Sequence, residues 1–240
     1  MTDFKINIAN MIVCIRGVYD TLQEYCKNYV IGSDKAEDFA ITVTPEDIQR
    51  ERKKGEYGEN SDNYIEIIIT LLKLADELPD RNKLLMHGAV VAWKQSGYIF
   101  TAPSGTGKTT HVRLWEKYLG SDVEFINGDK PVLEIQEKEV IAYGTPWAGK
   151  ERLQKDKRVP VKGICFLKQS KTNRIRRLDK SEALLLLLPQ IYIMSVPPKA
   201  GKTLELFSKI LERVPVYEFG CDISEQAVQC SFKTLTTEYE

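Results

Sequence analysis

The chain has 240 residues, 42% of them hydrophobic, and carries 34 basic and 34 acidic side chains, so its formal net charge is zero. That length supports a sizeable core and fits one large α/β domain better than two small ones. Balanced charge without a long basic run gives no footing for bulk nucleic-acid binding. No apolar run reaches membrane-spanning length, and residues 1–5 lack the basic segment that opens a secretory signal.

Five cysteines, Cys14, Cys26, Cys165, Cys221 and Cys230, are scattered without CxxC spacing. Neither a disulfide framework nor a zinc site follows from them, and a reducing cytoplasm suits them. The expectation is a cytoplasmic protein with no membrane and no nucleic-acid partner.

In chain order, Phe4, Ile6 and Ile8 alternate with polar residues and residues 11–15 form a second β-rich run, so two early strands are predicted. Leu22, Tyr25, Cys26 and Tyr29 recur at helical spacing. Phe39, Ile41 and Val43 read as a strand, followed by a helix start at Thr44-Pro45-Glu46-Asp47. Residues 50–60, charged and containing Gly55 and Gly58, read as an exposed connection. Ile65, Ile68, Ile69, Leu72 and Ala75 then share one helical face, which Pro79 ends.

Residues 84–93 are an apolar run of strand type. Lys94-Gln95-Ser96-Gly97 is a hairpin turn into a strand over residues 97–101. After it stands Ala102-Pro103-Ser104-Gly105-Thr106-Gly107-Lys108-Thr109-Thr110, and then a helix on which Val112, Leu114, Trp115, Tyr118 and Leu119 mostly keep helical spacing.

Strand, glycine-rich turn, helix is the order a phosphate-binding loop requires. Backbone N–H groups point inward, Lys108 reaches the β- and γ-phosphates, and the Thr109 hydroxyl ligates Mg²⁺. The helix adds its positive end. Ala102 replaces the usual opening glycine, which calls for ordinary backbone angles there and leaves the tight turn to Gly105 and Gly107.

Gly120 should stop the loop helix. Residues 123–126 then form a short strand ending in Asn127-Gly128-Asp129-Lys130-Pro131. Asp129 lies 21 positions after Lys108, about one helix and a return strand, which sets an acid beside the loop in the crevice where open α/β sheets bind ligands. The alternative is a plain turn aspartate.

A hairpin over residues 131–143 leads to Gly144-Thr145-Pro146-Trp147-Ala148-Gly149-Lys150-Glu151, a segment that either closes over phosphates and an acceptor or packs its tryptophan in the core. Trp147, Lys150 and Arg152 are its weaker substrate candidates, and His111 on the loop helix is another. Strands at 161–167 and 175–178, a capping-box helix from Asp179 with a buried run at 184–188, an amphipathic helix at 204–211, a strand at 215–219 and a last helix from Ser224 to Leu235 complete the chain.

His87-Gly88, the Ser-Gly-Thr-Gly-Lys-Thr loop and Asn-Gly-Asp-Lys-Pro one helix later together resemble the HPr kinase/phosphorylase-like family, relatives of the phosphoenolpyruvate carboxykinases. By motif the resemblance covers residues 84–151. It implies a mixed-sheet α/β P-loop domain of the HPr kinase C-terminal type with flanking helices. Residues 1–240 would form one domain, with 1–83 packed on a nucleotide-binding core at 84–235.

The resemblance also implies roles. His87 matches the family's histidine, Ser104 to Thr109 the loop, and Asp129 one of two acids; Gly128 or Lys130 stands where the other acid belongs. ATP or another nucleoside triphosphate, with Mg²⁺ on Thr109 and Asp129, is the implied donor, although pyrophosphate stays open. The acceptor is a hydroxyl of a peptide, protein or small molecule, and homo-oligomerisation stays open. A nucleotide-binding regulatory or maturation partner is the second reading. An ordinary triphosphate hydrolase or carboxykinase-like enzyme is the third.

Overall fold

The computed structural model describes residues 2–193 and 197–237. The chain divides into two compact units, Met1–Leu78 and Pro79–Glu240, each with its own sheet. The N-terminal strands add nothing to the larger sheet, although the sequence led us to expect one domain divided near residue 83.

In the first unit, β1 (Thr2–Ile8) and β2 (Met11–Gly17) form a hairpin. Ala9 and Asn10 make its two-residue turn, both at positive φ, as the twist of a tight hairpin demands. The predicted helix near residue 22 is short: α1 (Thr21–Tyr25) passes into a 3₁₀ turn and then β3 (Val30–Ile31), which pairs with β1. β4 (Phe39–Thr42) runs parallel to β2.

Thr44 caps α2 (Pro45–Lys53) in a reciprocal capping box with Asp47. The helix therefore runs into the stretch read as a connection, and Glu51 is buried on it. Ser61 caps α3 (Asp62–Glu77), whose Ile65, Ile69 and Leu74 are buried.

The second unit contains β5 (Lys83–Leu85), β6 (Ala89–Trp93), β7 (Ser96–Thr101), α4 (Lys108–Leu119), β8 (Val123–Asn127), β9 (Val132–Ile135), β10 (Val140–Tyr143), β11 (Arg158–Gln169), β12 (Arg174–Arg177), α5 (Lys180–Leu187), α6 (Pro197–Arg213), β13 (Val216–Cys221) and α7 (Glu225–Thr237). β11 lies parallel between β7 and β13, and β6 lies antiparallel between β7 and β8. β7 and β8 therefore point the same way. The ends of β7, β8, β11 and β13 and the start of β6 share one edge of the sheet, the edge where such sheets bind ligands.

Strand alternation sends Tyr98 and Phe100 into one core with Val112 and Trp115 of α4 and Ala227 and Val228 of α7. Ile99 faces the other core, with Leu187 of α5 and Leu206, Phe207 and Ile210 of α6. The unit is thus a three-layer mixed α/β fold, in keeping with the expected class. Leu184 and Leu185, expected in the core, are 41% and 75% exposed, because α5 buries only Ala183 and Leu187. Among the described residues no helix is long and apolar enough to cross a membrane.

Candidate functional site

The glycine-rich loop leaves the end of β7 and closes on itself. Thr106 donates both its backbone N–H and its hydroxyl to the carbonyl of Pro103, at 3.3 and 2.9 Å. Gly105 and Gly107 sit at φ of 80° and 112°, a region closed to most side chains, while Ala102 is buried with no positive φ, as its substitution requires. Pro103, Ser104, Gly105 and Thr110 are exposed, whereas Thr106, Gly107 and Thr109 are half-buried.

Lys108 is the first residue of α4, and its ammonium folds back onto the loop, donating to the carbonyls of Ala102 at 3.0 Å and Pro103 at 3.4 Å. Burial lowers its pKa, the Asp129 carboxylate opposes that shift, and the Lys130 ammonium adds to it. Those three groups therefore share one electrostatic neighbourhood.

Asp129 follows the end of β8, held in place by a turn. Asn127, fully buried, accepts the N–H groups of Asp129 and Lys130 on Oδ1, at 2.9 and 2.8 Å, and donates through Nδ2 to the carbonyl and hydroxyl of Thr145 at 3.1 Å each. The Thr145 hydroxyl donates in turn to the Lys130 carbonyl at 2.7 Å. Gly128 is required by crowding: a Cβ there would stand 2.6 Å from the Ala148 carbonyl oxygen. The turn is thus the work of Asn127, and the Asp129 carboxylate is left for other partners.

Among the described residues those partners are two. His87 Nε2 lies 3.2 Å from Asp129 Oδ1, and Lys130 Nζ lies 3.2 Å from both carboxylate oxygens. Burial alone would push the Asp129 carboxyl up, but the hydrogen bond from His87 and the charge of Lys130 outweigh it and hold the group below the ordinary carboxylate value. At neutral pH Asp129 is an anion.

His87 does not lie on a strand, as the apolar run had suggested. That run breaks at Met86-His87-Gly88, between β5 and β6. The break is tied down on both sides: His87 N–H donates to the Gln190 carbonyl at 2.7 Å, its carbonyl accepts the Thr101 hydroxyl at 2.6 Å, and Gly88 N–H donates to the Asp129 carbonyl at 2.9 Å. One backbone position is thereby fixed to the end of β7 and the turn after β8 together.

The other candidates separate. Trp147 is 3% exposed in a buried segment whose carbonyl accepts Lys130 N–H at 3.0 Å, so it packs behind the turn and does not present its ring to solvent. Gly149 comes against the acid, since a Cβ there would sit 3.3 Å from that of Asp129, and the next residue, Lys150, is exposed. Arg152 is exposed, with φ of 49°. His111 is buried among Phe100 and Phe219, its Nε2 3.1 Å from the Ser231 hydroxyl, and its burial lowers its pKa to about 4.

Three further residues shape the site without having been given a role by the sequence. Lys130 was noted only as one of two positions, with Gly128, where a second acid would stand. Asn127 was legible as an Asx turn former, and Gln169, which donates to the Thr106 carbonyl at 3.2 Å and clasps the loop to the end of β11, left no signal at all.

Hard oxygen donors, the Thr109 hydroxyl and the anionic Asp129 carboxylate, fit magnesium, which keeps several waters and relies on substrate phosphates more than on a protein cage. Among the described residues no group of three His, Cys, Asp or Glu side chains could hold a metal ion. The Lys130 ammonium competes with any cation for the carboxylate.

No family model matches the chain, and no curated protein matches it in sequence. Among solved structures, the Hpr(Ser) kinase/phosphatase from Coxiella burnetii is similar over 65% of this chain and 95% of its own, at 10% identity and a TM-score of 0.37.

Proposed function

We propose that the chain transfers a phosphoryl group from a polyphosphate donor to a hydroxyl acceptor, the chemistry implied by the resemblance to HPr kinase/phosphorylase-like proteins. One observation carries the reading: an ionised carboxylate, Asp129, lies in the electrostatic neighbourhood of Lys108 at the glycine-rich loop and is in contact with a histidine. Phosphoryl transfer through a loose transition state asks mainly for position and charge, and these groups supply both.

In this reading the loop amides and Lys108 bind the β- and γ-phosphates, the ammonium leaving the carbonyls of Ala102 and Pro103 to do so. Thr109 and Asp129 would hold Mg²⁺, which would supply charge neutralisation at the transferred group. With His87 Nε2–H donating to Asp129, Nδ1 keeps its lone pair and takes the proton of the acceptor hydroxyl. Lys150, beside Gly149, contacts the acceptor or its new phosphate.

A second reading rests on Lys130. One of the two positions that could carry a second acid, residue 130, holds a cation beside the first acid, and this favours a protein that binds the donor without transferring from it. Incubation with γ-labelled ATP, Mg²⁺ and pooled serine peptides and small hydroxyl compounds separates the two. Transfer that falls about 100-fold or more in both Lys108→Ala and Asp129→Asn is the expected result. Binding of ATP with no transfer to any acceptor would favour the second reading.

A further inference from the structure

The phosphoryl-transfer reading gives Lys130 no task, yet the base of its side chain is firmly held. Its N–H is shared between Asn127 Oδ1 at 2.8 Å and the Trp147 carbonyl at 3.0 Å, and its own carbonyl accepts the Thr145 hydroxyl at 2.7 Å. Pro131 follows with its fixed φ, and its carbonyl accepts the N–H of Met86, the residue before His87, at 3.2 Å. The side chain therefore leaves a rigid point, 27% exposed, and brings its ammonium to 3.2 Å from both oxygens of Asp129.

Around that point the chain gathers two ammoniums and one carboxylate. Lys108 senses both neighbours, since the Asp129 carboxylate favours its charge and the Lys130 ammonium opposes it. One carboxylate does not cancel two ammoniums, so the turn after β8 and the start of α4 share an excess of positive charge that a bound anion would relieve. A terminal phosphate, with close to two negative charges and three acceptor oxygens, suits it.

Position matters as much as sign. The resemblance implies a second acid at 128 or 130, but a side chain at 128 would meet the Ala148 carbonyl oxygen at 2.6 Å, so residue 130 decides the charge of this turn. An acid there would offer a place to hold a cation; a lysine is itself the cation, tethered to the chain. It can also leave Asp129 at little cost. His87 Nε2 lies 3.2 Å from Oδ1, so the carboxylate keeps a partner when the ammonium turns away.

We propose that Lys130 is a catalytic residue of the transfer, its ammonium turning from Asp129 to an oxygen of the terminal phosphate and staying on that group as it moves. The bond from phosphorus to the leaving phosphate's bridging oxygen breaks and its electron pair stays with the leaving phosphate. A bond from the acceptor oxygen to phosphorus forms, and the acceptor's proton passes to His87 Nδ1. Lys130 gives up no proton. The inference rests on the phosphoryl-transfer reading, and its test keeps the two apart.

Calorimetry in Mg²⁺ compares ATP with ADP on the wild-type chain, Lys130→Met and Lys130→Arg, and melting temperatures check that the variants fold. Transfer from γ-labelled ATP to pooled serine peptides and small hydroxyl compounds is followed in the same three proteins. Lys130→Met should weaken ATP about ten-fold or more, leave ADP within about two-fold and lower kcat about 100-fold, and Lys130→Arg should recover about ten-fold of that kcat loss. If the wild type transfers but Lys130→Met leaves kcat unchanged or raises it, or weakens ATP and ADP equally, the role of Lys130 is overturned and the transfer reading stands. A wild type that binds ATP without transfer, or binds neither nucleotide, would remove the transfer reading and this role with it.

Discussion

The residue that most changes the chemistry is Lys130. A carboxylate flanked by a second acid would be pushed toward protonation; flanked by an ammonium at 3.2 Å and a histidine at the same distance, Asp129 stays ionised. Its charge is available at the loop, but it is shared. His111 gives a cleaner test at this scale, because it is buried among aromatic rings and takes a proton only near pH 4, against 6.5 for an unburied histidine. Below about pH 6.5 the unfolded chain therefore binds a proton that the native chain refuses. Stability contributed by the neutral ring is whole above that pH and is lost as pH falls toward 4, by up to about 3 kcal/mol. Urea midpoints of the wild type and His111→Phe, taken at pH 7 and 4.5, should show a smaller loss in the variant; equal losses would mean that the ring is not held neutral by burial.

At the scale of elements, the sequence was most legible where a local rule decides the structure. The hairpin at Lys94-Gln95, the helix start at Thr44-Pro45, the helix stop at Gly120 and the capping box at Asp179 all follow from turn and cap chemistry, and the structure contains each of them. It was least legible where tertiary contacts decide. The apolar run at 84–93 gives no local sign that it breaks at His87; the break is made by hydrogen bonds to Gln190, Thr101 and Asp129, all distant in the chain. Leucine content alone likewise hid that α5 buries only one side, leaving Leu185 in solvent.

The turn after β8 mixes both kinds. Its Asn-Gly-Asp sequence announced a turn, but only the structure reveals that Gly128 passes so close to Ala148 that no Cβ fits. Gly128→Ala should destabilise the fold by about 1–3 kcal/mol, read by urea denaturation, because the turn or the 144–149 segment must move apart. An unchanged midpoint would mean that this packing is loose, and Asp129 would then lose its fixed position.

For the molecule as a whole, the residues of the candidate site come from four places in the chain, namely the loop before α4, the break before β6, the turn after β8 and the end of β11, and one edge of one sheet gathers them. All belong to the unit Pro79–Glu240. The motif at residues 102–110 and the acid at 129 were readable without a structure because spacing carries them. The neutralising Lys130 and the clasp of Gln169 depend on strand order, which no local pattern encodes. Everything proposed for the site depends on the loop gripping phosphate. Isothermal calorimetry of Mg²⁺-ATP against the wild-type chain and Lys108→Ala tests this most directly: the account predicts saturable binding to the wild type that weakens by about ten-fold or more in the variant, and equal binding to both, or none to the wild type, would contradict it.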